Sequence, residues 1–333
     1  MMTTVELLAP ERLRLAERNV PEPGPTEVRI AVSHVGICGT DLEFYRGRRS
    51  AGYPFVLGHE CSGTIDAVGR DVAQWEAGTA VTVRPNFGCG TCSFCDEGRD
   101  NLCQEARGLG VTIDGCLAEY IVAPARYVFA VPEGMDLEAA ALIEPAAVAE
   151  RAVRRAGDLH RRRVLVLGAG CIGLLVLQIA RLGGAEVYAA DPSPSRRQWA
   201  EELGAAAAFD PTAQLPADAR FDVVIETAGV AEAVPLAIAH IEPGGLIVLT
   251  GIPMDPALIE TRWLVWRELR LVGSFIYELG DFAGACDRIR DGTVRVRELV
   301  TGRFPIDEAK SAFAAAAQRG GVKVLIRVSK EAS

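Results

Sequence analysis

Four cysteines, Cys89, Cys92, Cys95 and Cys103, stand at C-x2-C-x2-C-x7-C spacing in FGCGTCSFCDEGRDNLC. Thiolates this close can surround one tetrahedral zinc ion as a closed structural site, and iron–sulfur clusters use similar chemistry. The segment is polar and turn-rich, which speaks against four unrelated core thiols. With every coordination position taken by sulfur, such a site stiffens a lobe and carries no chemistry. Cys38 in GICGTD, and His59 with Glu60 in GHECSGTIDAVG, are weaker signals alone, because a lone Cys or His is more often structural. In a second region Gly168-Ala169-Gly170-Cys171-Ile172-Gly173 follows the apolar run Val164–Leu167 and opens an apolar helix-period stretch. That context makes G-x-G-x-x-G a dinucleotide signal: glycines allow a tight turn and close backbone approach, and the helix N-terminus faces the pyrophosphate. Asp191 ends the next strand-like run, EVYAAD, 18 residues after Gly173. A carboxylate there accepts from the adenosine ribose and repels a 2′-phosphate, which favours NAD over NADP. Arg196 and Arg197 could instead tolerate that phosphate, and Asp191 could simply cap a helix before Pro192.

The elements that must carry these residues fall into two styles. The first part is rich in Gly and Pro, with short β-type runs at 28–32 and 80–83. Character changes near residue 144. An apolar strand from Arg163, a helix through Leu182, strands at 186–190, 222–226 and 246–250, and helices at 195–203 and 232–240 alternate as in a parallel sheet covered on both faces. The tail carries helices around 282–290 and 307–318 and a strand at 322–328.

At about 150 residues per domain, 333 residues suggest two domains. Hydrophobic residues at 49% and charged residues at 24% are ordinary globular values, which exclude a disordered tail, a collagen-like repeat and a coiled coil. A formal net charge of −9 argues against nucleic acid or an anionic membrane as partner. No apolar run approaches the roughly 20 residues needed to span a bilayer, and Glu6, Glu11 and Arg12 interrupt any secretory pattern, so a cytoplasmic location is expected. Nine cysteines in such a chain point to metal rather than disulfides. His34, His160 and His240 match no motif, and Cys61, Cys116, Cys171 and Cys286 lack partners at ligand spacing.

GICGTD, GHE-x2-G-x5-G, the four-cysteine lobe and the glycine fingerprint, in that order, resemble the zinc-dependent medium-chain alcohol and polyol dehydrogenases, especially the sorbitol and threonine dehydrogenase branch, from Val5 to Val328. The resemblance implies an α/β architecture: a GroES-like, mostly-β catalytic domain over 1–143 and 278–333, with a Rossmann doubly wound parallel-sheet NAD-binding domain over 144–277 and the substrate cleft between them. It implies two zinc ions per chain, with Cys38 and His59 as ligands of the catalytic one. Glu60 and Glu144 are the remaining candidates, one to bind and the other to orient zinc-bound water, and Glu144 could alternatively be a helix N-terminal acid beside Pro145. Thr40 matches the hydroxyl that takes the alcohol proton. Glu43 stands where many relatives have a histidine, which leaves the relay's exit to Glu43 or to bulk water. Arg196 borders the ribose, Ile172 lies in the cofactor turn, Thr227 and Thr250 line the nicotinamide half, and Ser274 serves the carboxamide. Phe44 and Tyr277 fall on the substrate side, while Ile276 replaces an arginine of mammalian-type sorbitol dehydrogenases. The implied reaction oxidises a secondary alcohol of a polyol, cyclitol, amino-cyclitol or sugar-like substrate with hydride transfer to NAD. An NADPH-dependent zinc aldehyde or ketone reductase is the alternative, and a catalytically silent zinc- and nucleotide-binding protein a more distant one. Homodimers or homotetramers are the family habit.

Overall fold

Val164, Leu165 and Val166 are each fully buried, as a strand sandwiched between two helical layers requires. They belong to Arg163–Leu167 at the centre of a six-stranded sheet. In spatial order the strands are Ala208–Phe209, Glu186–Ala190, Arg163–Leu167, Phe221–Glu226, Ile241–Leu249 and Arg270–Gly273. All five pairings are parallel, which gives the doubly wound 3-2-1-4-5-6 order with its switch point beside the first strand. Leu165, Val224 and Ile247 pack with Val234, Ala237 and Ile238 of helix Ala233–His240 into one core.

The structure is a computed structural model that describes residues 1–329 except 51, 214, 217 and 319. The chain divides into two units. The first holds residues 1–144, 286–290 and 296–333, and the second 145–285 and 291–295. The return to the first unit therefore comes at 286, not at the expected 278. Helix Leu279–Arg290 explains the shift: its start is tied within the second unit by Arg154 to Glu278 at 2.6 Å and to Asp281 at 2.7 Å, and by Arg151 to Glu278 at 2.7 Å. Residues 291–295 stay with that unit through paired hydrogen bonds between Gln178 and the Arg295 backbone, at 2.8 and 3.2 Å.

The first unit is mostly antiparallel β. Strand Glu27–Ile37 sits at the middle of a seven-stranded sheet and pairs with Glu60–Val68, Tyr120–Pro124 and the late strand Lys323–Arg327. Its alternating burial puts Val28, Ile30 and Val32 into a core shared with Val81, Leu117, Phe313 and Ile326. The tail thus completes the sheet that carries the GHE segment, with Val324 opposite Ile37. Among the described residues, no helix is long and apolar enough to cross a membrane.

Candidate active site

Helix Gly39–Tyr45 begins directly after Cys38, whose backbone is extended. Asp41, in its first turn and 1% exposed, accepts from the Cys38 N–H through Oδ2 (2.8 Å) and from the Gly58 N–H through Oδ1 (3.0 Å). One carboxylate thereby gathers the segment bearing Cys38 and the segment bearing His59. His59 Nδ1 lies 3.6 Å from Asp41 Oδ1 and is buried without a hydrogen-bond partner. Donor atoms of Cys38, His59 and Glu60 all lie within 4.8 Å of one another. Burial works against a charged His59, but Asp41 and Cys38 outweigh it and hold the imidazole's pKa well above its ordinary value. The field at this point favours positive charge, and an orphaned ring nitrogen beside a thiol and carboxylates is a donor set that fits zinc.

Glu144 is buried at the start of helix Ile143–Ala156 but lies outside that 4.8 Å group. Thr40 is half-buried, two residues from Cys38. Glu43 is committed to an ion pair with Arg48 at 2.5 Å, while its Oε2 is buried without a partner. The two substrate-side aromatics are both buried. Phe44 is 4% exposed and packs on Phe55 at 5.9 Å, inside the core of the first unit. Tyr277 is 1% exposed against Phe282 at 5.6 Å. Both rings are packed, because a large ring lowers its free energy most by burial.

The four lobe cysteines also converge, their sulfurs all within 4.8 Å of one another. Cys89 and Cys95 are 4.0 Å apart. One tetrahedral ion about 2.3 Å from each sulfur separates the sulfurs by about 3.8 Å, so the spacing fits a single ion. Hydrogen bonds from Thr91 pull the Cys89 thiol down to about 6, whereas Cys95 is pushed up to about 12 by burial and the neighbouring sulfurs, against a backbone hydrogen bond from Gly90. One thiol that ionises readily beside one that resists it is a pairing that a shared cation would resolve, since metal binding releases thiol protons.

In the second unit the glycine turn is enforced by contact. A Cβ on Gly173 would stand 1.7 Å from the Gly168 carbonyl oxygen. At Gly170 the space is open, and the nearest group is the Arg196 guanidinium at 3.9 Å. This is a cradle that a side chain would fill, at the N-terminus of the 12-residue helix Cys171–Leu182, with Ile172 in its first turn and a cation beside it, and it fits a pyrophosphate. Asp191, 3% exposed, accepts from the N–H groups of Ala169 (2.9 Å) and Ser193 (2.8 Å), and Arg196 lies 3.8 Å away. Thr227 Oγ1 donates within reach of the Leu167 and Gly168 carbonyls, at 3.0 and 2.8 Å, so it braces the turn. Thr250 Oγ1 and Ser274 Oγ, at the ends of neighbouring strands, are buried without hydrogen-bond partners, as groups awaiting a polar ligand would be.

Two family models match the chain: the alcohol dehydrogenase GroES-like domain over residues 24–133 and the zinc-binding dehydrogenase domain over 171–291. The chain is 32% identical to the 2-dehydro-3-deoxy-L-galactonate 5-dehydrogenase of Pseudoalteromonas atlantica, over 99% of this chain and 100% of that one. The chain belongs to the zinc-dependent medium-chain alcohol and polyol dehydrogenases. It is likewise 32% identical to the sorbitol dehydrogenase of Bacillus subtilis, over 90% of this chain and 89% of that protein. A zinc-binding dehydrogenase of Sinorhizobium meliloti 1021, crystallised bound to NADP, superposes with a TM-score of 0.93 at 35% identity, covering 98% of this chain and 99% of its own.

Sequence reasoning missed two site residues. Asp41 was visible only as the last letter of GICGTD. Lys323, 4% exposed, meets both Glu60 oxygens at 2.6 and 2.7 Å from the far end of the chain, and no local pattern announces it.

Proposed function

We propose that this family member oxidises a secondary alcohol of a polyol or sugar-derived substrate with NAD, and holds two zinc ions, one among the four lobe cysteines and one at Cys38 and His59. The convergence of Cys38, His59 and Glu60 around one buried point carries this reading. Bound there, zinc supplies a Lewis acid toward an alcohol oxygen, and NAD at the glycine turn supplies the hydride acceptor. Asp41 holds the Cys38 and Gly58 N–H groups and so fixes the two segments that carry Cys38 and His59. Thr40 Oγ1 receives the substrate hydroxyl's proton and passes it outward, to Glu43 or to water. The Gly170 cradle and Arg196 bind the pyrophosphate and ribose side, and the Thr250 and Ser274 hydroxyls hydrogen-bond the carboxamide. Relatives that by name act on sorbitol and on a sugar acid support the polyol class.

NAD is the preferred cofactor because the buried Asp191 carboxylate opposes a 2′-phosphate. The NADP-bound relative favours the alternative of an NADPH-dependent reductase. Initial rates on a panel of polyols, sugar acids and simple alcohols, read at the nicotinamide absorbance with each cofactor, decide between them. The expected result is turnover of polyols with kcat/KM for NAD at least about tenfold above NADP, since one charge contact of about 1.4 kcal/mol yields that factor. NADP preference, or turnover confined to simple primary alcohols, would overturn the reading. We further propose that the protein is a homodimer or homotetramer, supported by the exposed apolar side chains of the second unit, Leu258 (88%), Val265 (73%) and Trp266 (69%).

A further inference from the structure

Helix Gly39–Tyr45 leads away from Cys38, and the chain after it turns straight back onto that helix. The N–H groups of Arg48 and Arg49 both donate to the Glu43 carbonyl, at 2.9 and 3.2 Å. The turn is also held from its other side. Gly47 has φ +74°, a Cβ there would stand 2.6 Å from Pro10 Cγ, and the Glu11 N–H donates to the Tyr45 carbonyl at 2.7 Å. In EFYRGRR three arginines therefore crowd one carboxylate, within a chain whose net charge is −9. Arg48 takes Glu43 Oε1 at 2.5 Å, and Arg46 lies 3.9 Å from the same oxygen. Glu43 is thereby spent, and among the described residues the half-buried Arg49 guanidinium has no ion-pair or hydrogen-bond partner. A guanidinium partly stripped of water and unmatched by a carboxylate gains from an incoming anion, and its planar fork fits carboxylate and phosphate at two points.

We propose that Arg49 is a specificity-determining residue that binds an anionic group of the substrate, carboxylate or phosphate, away from the carbon being oxidised. The substrate class is then a sugar acid or a sugar-alcohol phosphate rather than a neutral polyol. This rests on the oxidation reading above and narrows its substrate. The spacing suits such a molecule: five helical residues from Cys38 to Glu43 rise about 7.5 Å, within the span of an extended sugar chain. A positive turn also concentrates an anion that a net-negative protein would otherwise repel. Arg49 touches no reacting atom, so its contact holds substrate and transition state alike and shows in KM rather than in kcat.

The test uses the full-length enzyme with zinc and NAD, and compares initial rates on neutral hexitols, the matching aldonates and the matching hexitol phosphates. Wild type favours one anionic class over the neutral one by about tenfold or more in kcat/KM, the factor that one charge contact supplies. Response to the aldonates or to the phosphates tells which anion the turn takes. Arg49→Gln, which keeps most of the side-chain stem, raises KM for that anion about tenfold or more, with kcat and the neutral-hexitol kinetics within about threefold of wild type. Arg49→Lys recovers part of the loss. Binding is also read apart from turnover: with NADH present, the anion raises the melting temperature of wild type more than the neutral hexitol does, and Arg49→Gln loses that difference. Absence of any anion preference in wild type, or an Arg49→Gln loss that falls equally on neutral and anionic substrates, overturns the proposal and leaves the oxidation reading intact. Wild type that oxidises none of the three classes with NAD sinks both.

Discussion

Within each unit, buried carboxylates hold the candidate residues by accepting backbone N–H groups, Asp41 in the first unit and Asp191 and Glu226 in the second. Asp41 joins Cys38 to Gly58, and Asp191 joins Ala169 to Ser193. Glu226, 1% exposed, accepts from Gly229 N–H at 2.8 Å, while its own carbonyl accepts from the N–H groups of Thr250 and Gly251 at 2.9 and 3.1 Å. It thereby ties together the strand ends that carry Thr227 and Thr250. Burial pushes the Glu226 pKa above its ordinary value, and hydrogen bonds from Gly229, Ala228 and Gly251 offset only part of that. An acid whose pKa is raised on folding contributes stability that is full below its unfolded pKa and is lost as pH rises through the raised value. Glu226→Gln cannot ionise, so the melting temperature of the variant minus that of wild type should increase from pH 4 to pH 7, whatever constant penalty the amide brings. Calorimetry across that range checks it, and a flat difference would show that Glu226 titrates normally.

At the scale of elements, the turn into helix Cys171–Leu182 gives two glycines opposite tasks. Gly173 is closed by backbone, its virtual Cβ 1.7 Å from the Gly168 oxygen, whereas Gly170 faces open space. Gly173→Ala should therefore lower the melting temperature markedly, because backbone must move. Gly170→Ala should fold with a stability change of about 0.5 kcal/mol or less, as at an unconstrained surface position, yet weaken NAD binding by crowding the phosphate. Titrating both variants with NAD by calorimetry separates the two roles; equal losses of stability would contradict it. The strands 80–83 and 186–190 and the end of the helix at Leu182 were legible because continuous apolar runs and flanking glycines mark them. Strand Ile241–Leu249 was read only from 246, since Pro243, Gly244 and Gly245 look like a turn, and its pairing register indeed shifts there. Helix 307–318 shortened to Ala309–Ala316 because its first residues form a 3-10 turn. The seven-residue helix Gly39–Tyr45 passed unread, being too short for a periodicity to establish itself.

At the scale of the molecule, the second unit leaves large apolar side chains in water around helix Thr261–Trp266, where Trp263 and Trp266 meet edge to face at 5.6 Å. Such side chains gathered on one element usually mark an interface. Light scattering should give a mass at least twice 35.6 kDa, and Val265→Glu with Trp266→Glu should shift it toward the monomer. A wild-type monomer at tens of micromolar, a range set by ordinary interface affinities, would refute it.

Spacing along the chain determined the four-cysteine lobe, the glycine turn and the parallel order of the second sheet, because each is a local pattern whose chemistry needs neighbours within a few residues. Only the tertiary structure decided which carboxylate stands with Cys38 and His59, since Glu60 is adjacent in sequence and in space whereas Glu144 must be brought by a helix and stays outside the group. It also decided that Phe44 and Tyr277 are packed away, and that Lys323 neutralises Glu60 across 263 residues. Such pairings follow from strand register, which matches the tail to Glu27–Ile37 through burial and backbone hydrogen bonds distributed over the whole sheet, and no short stretch of sequence encodes that alignment.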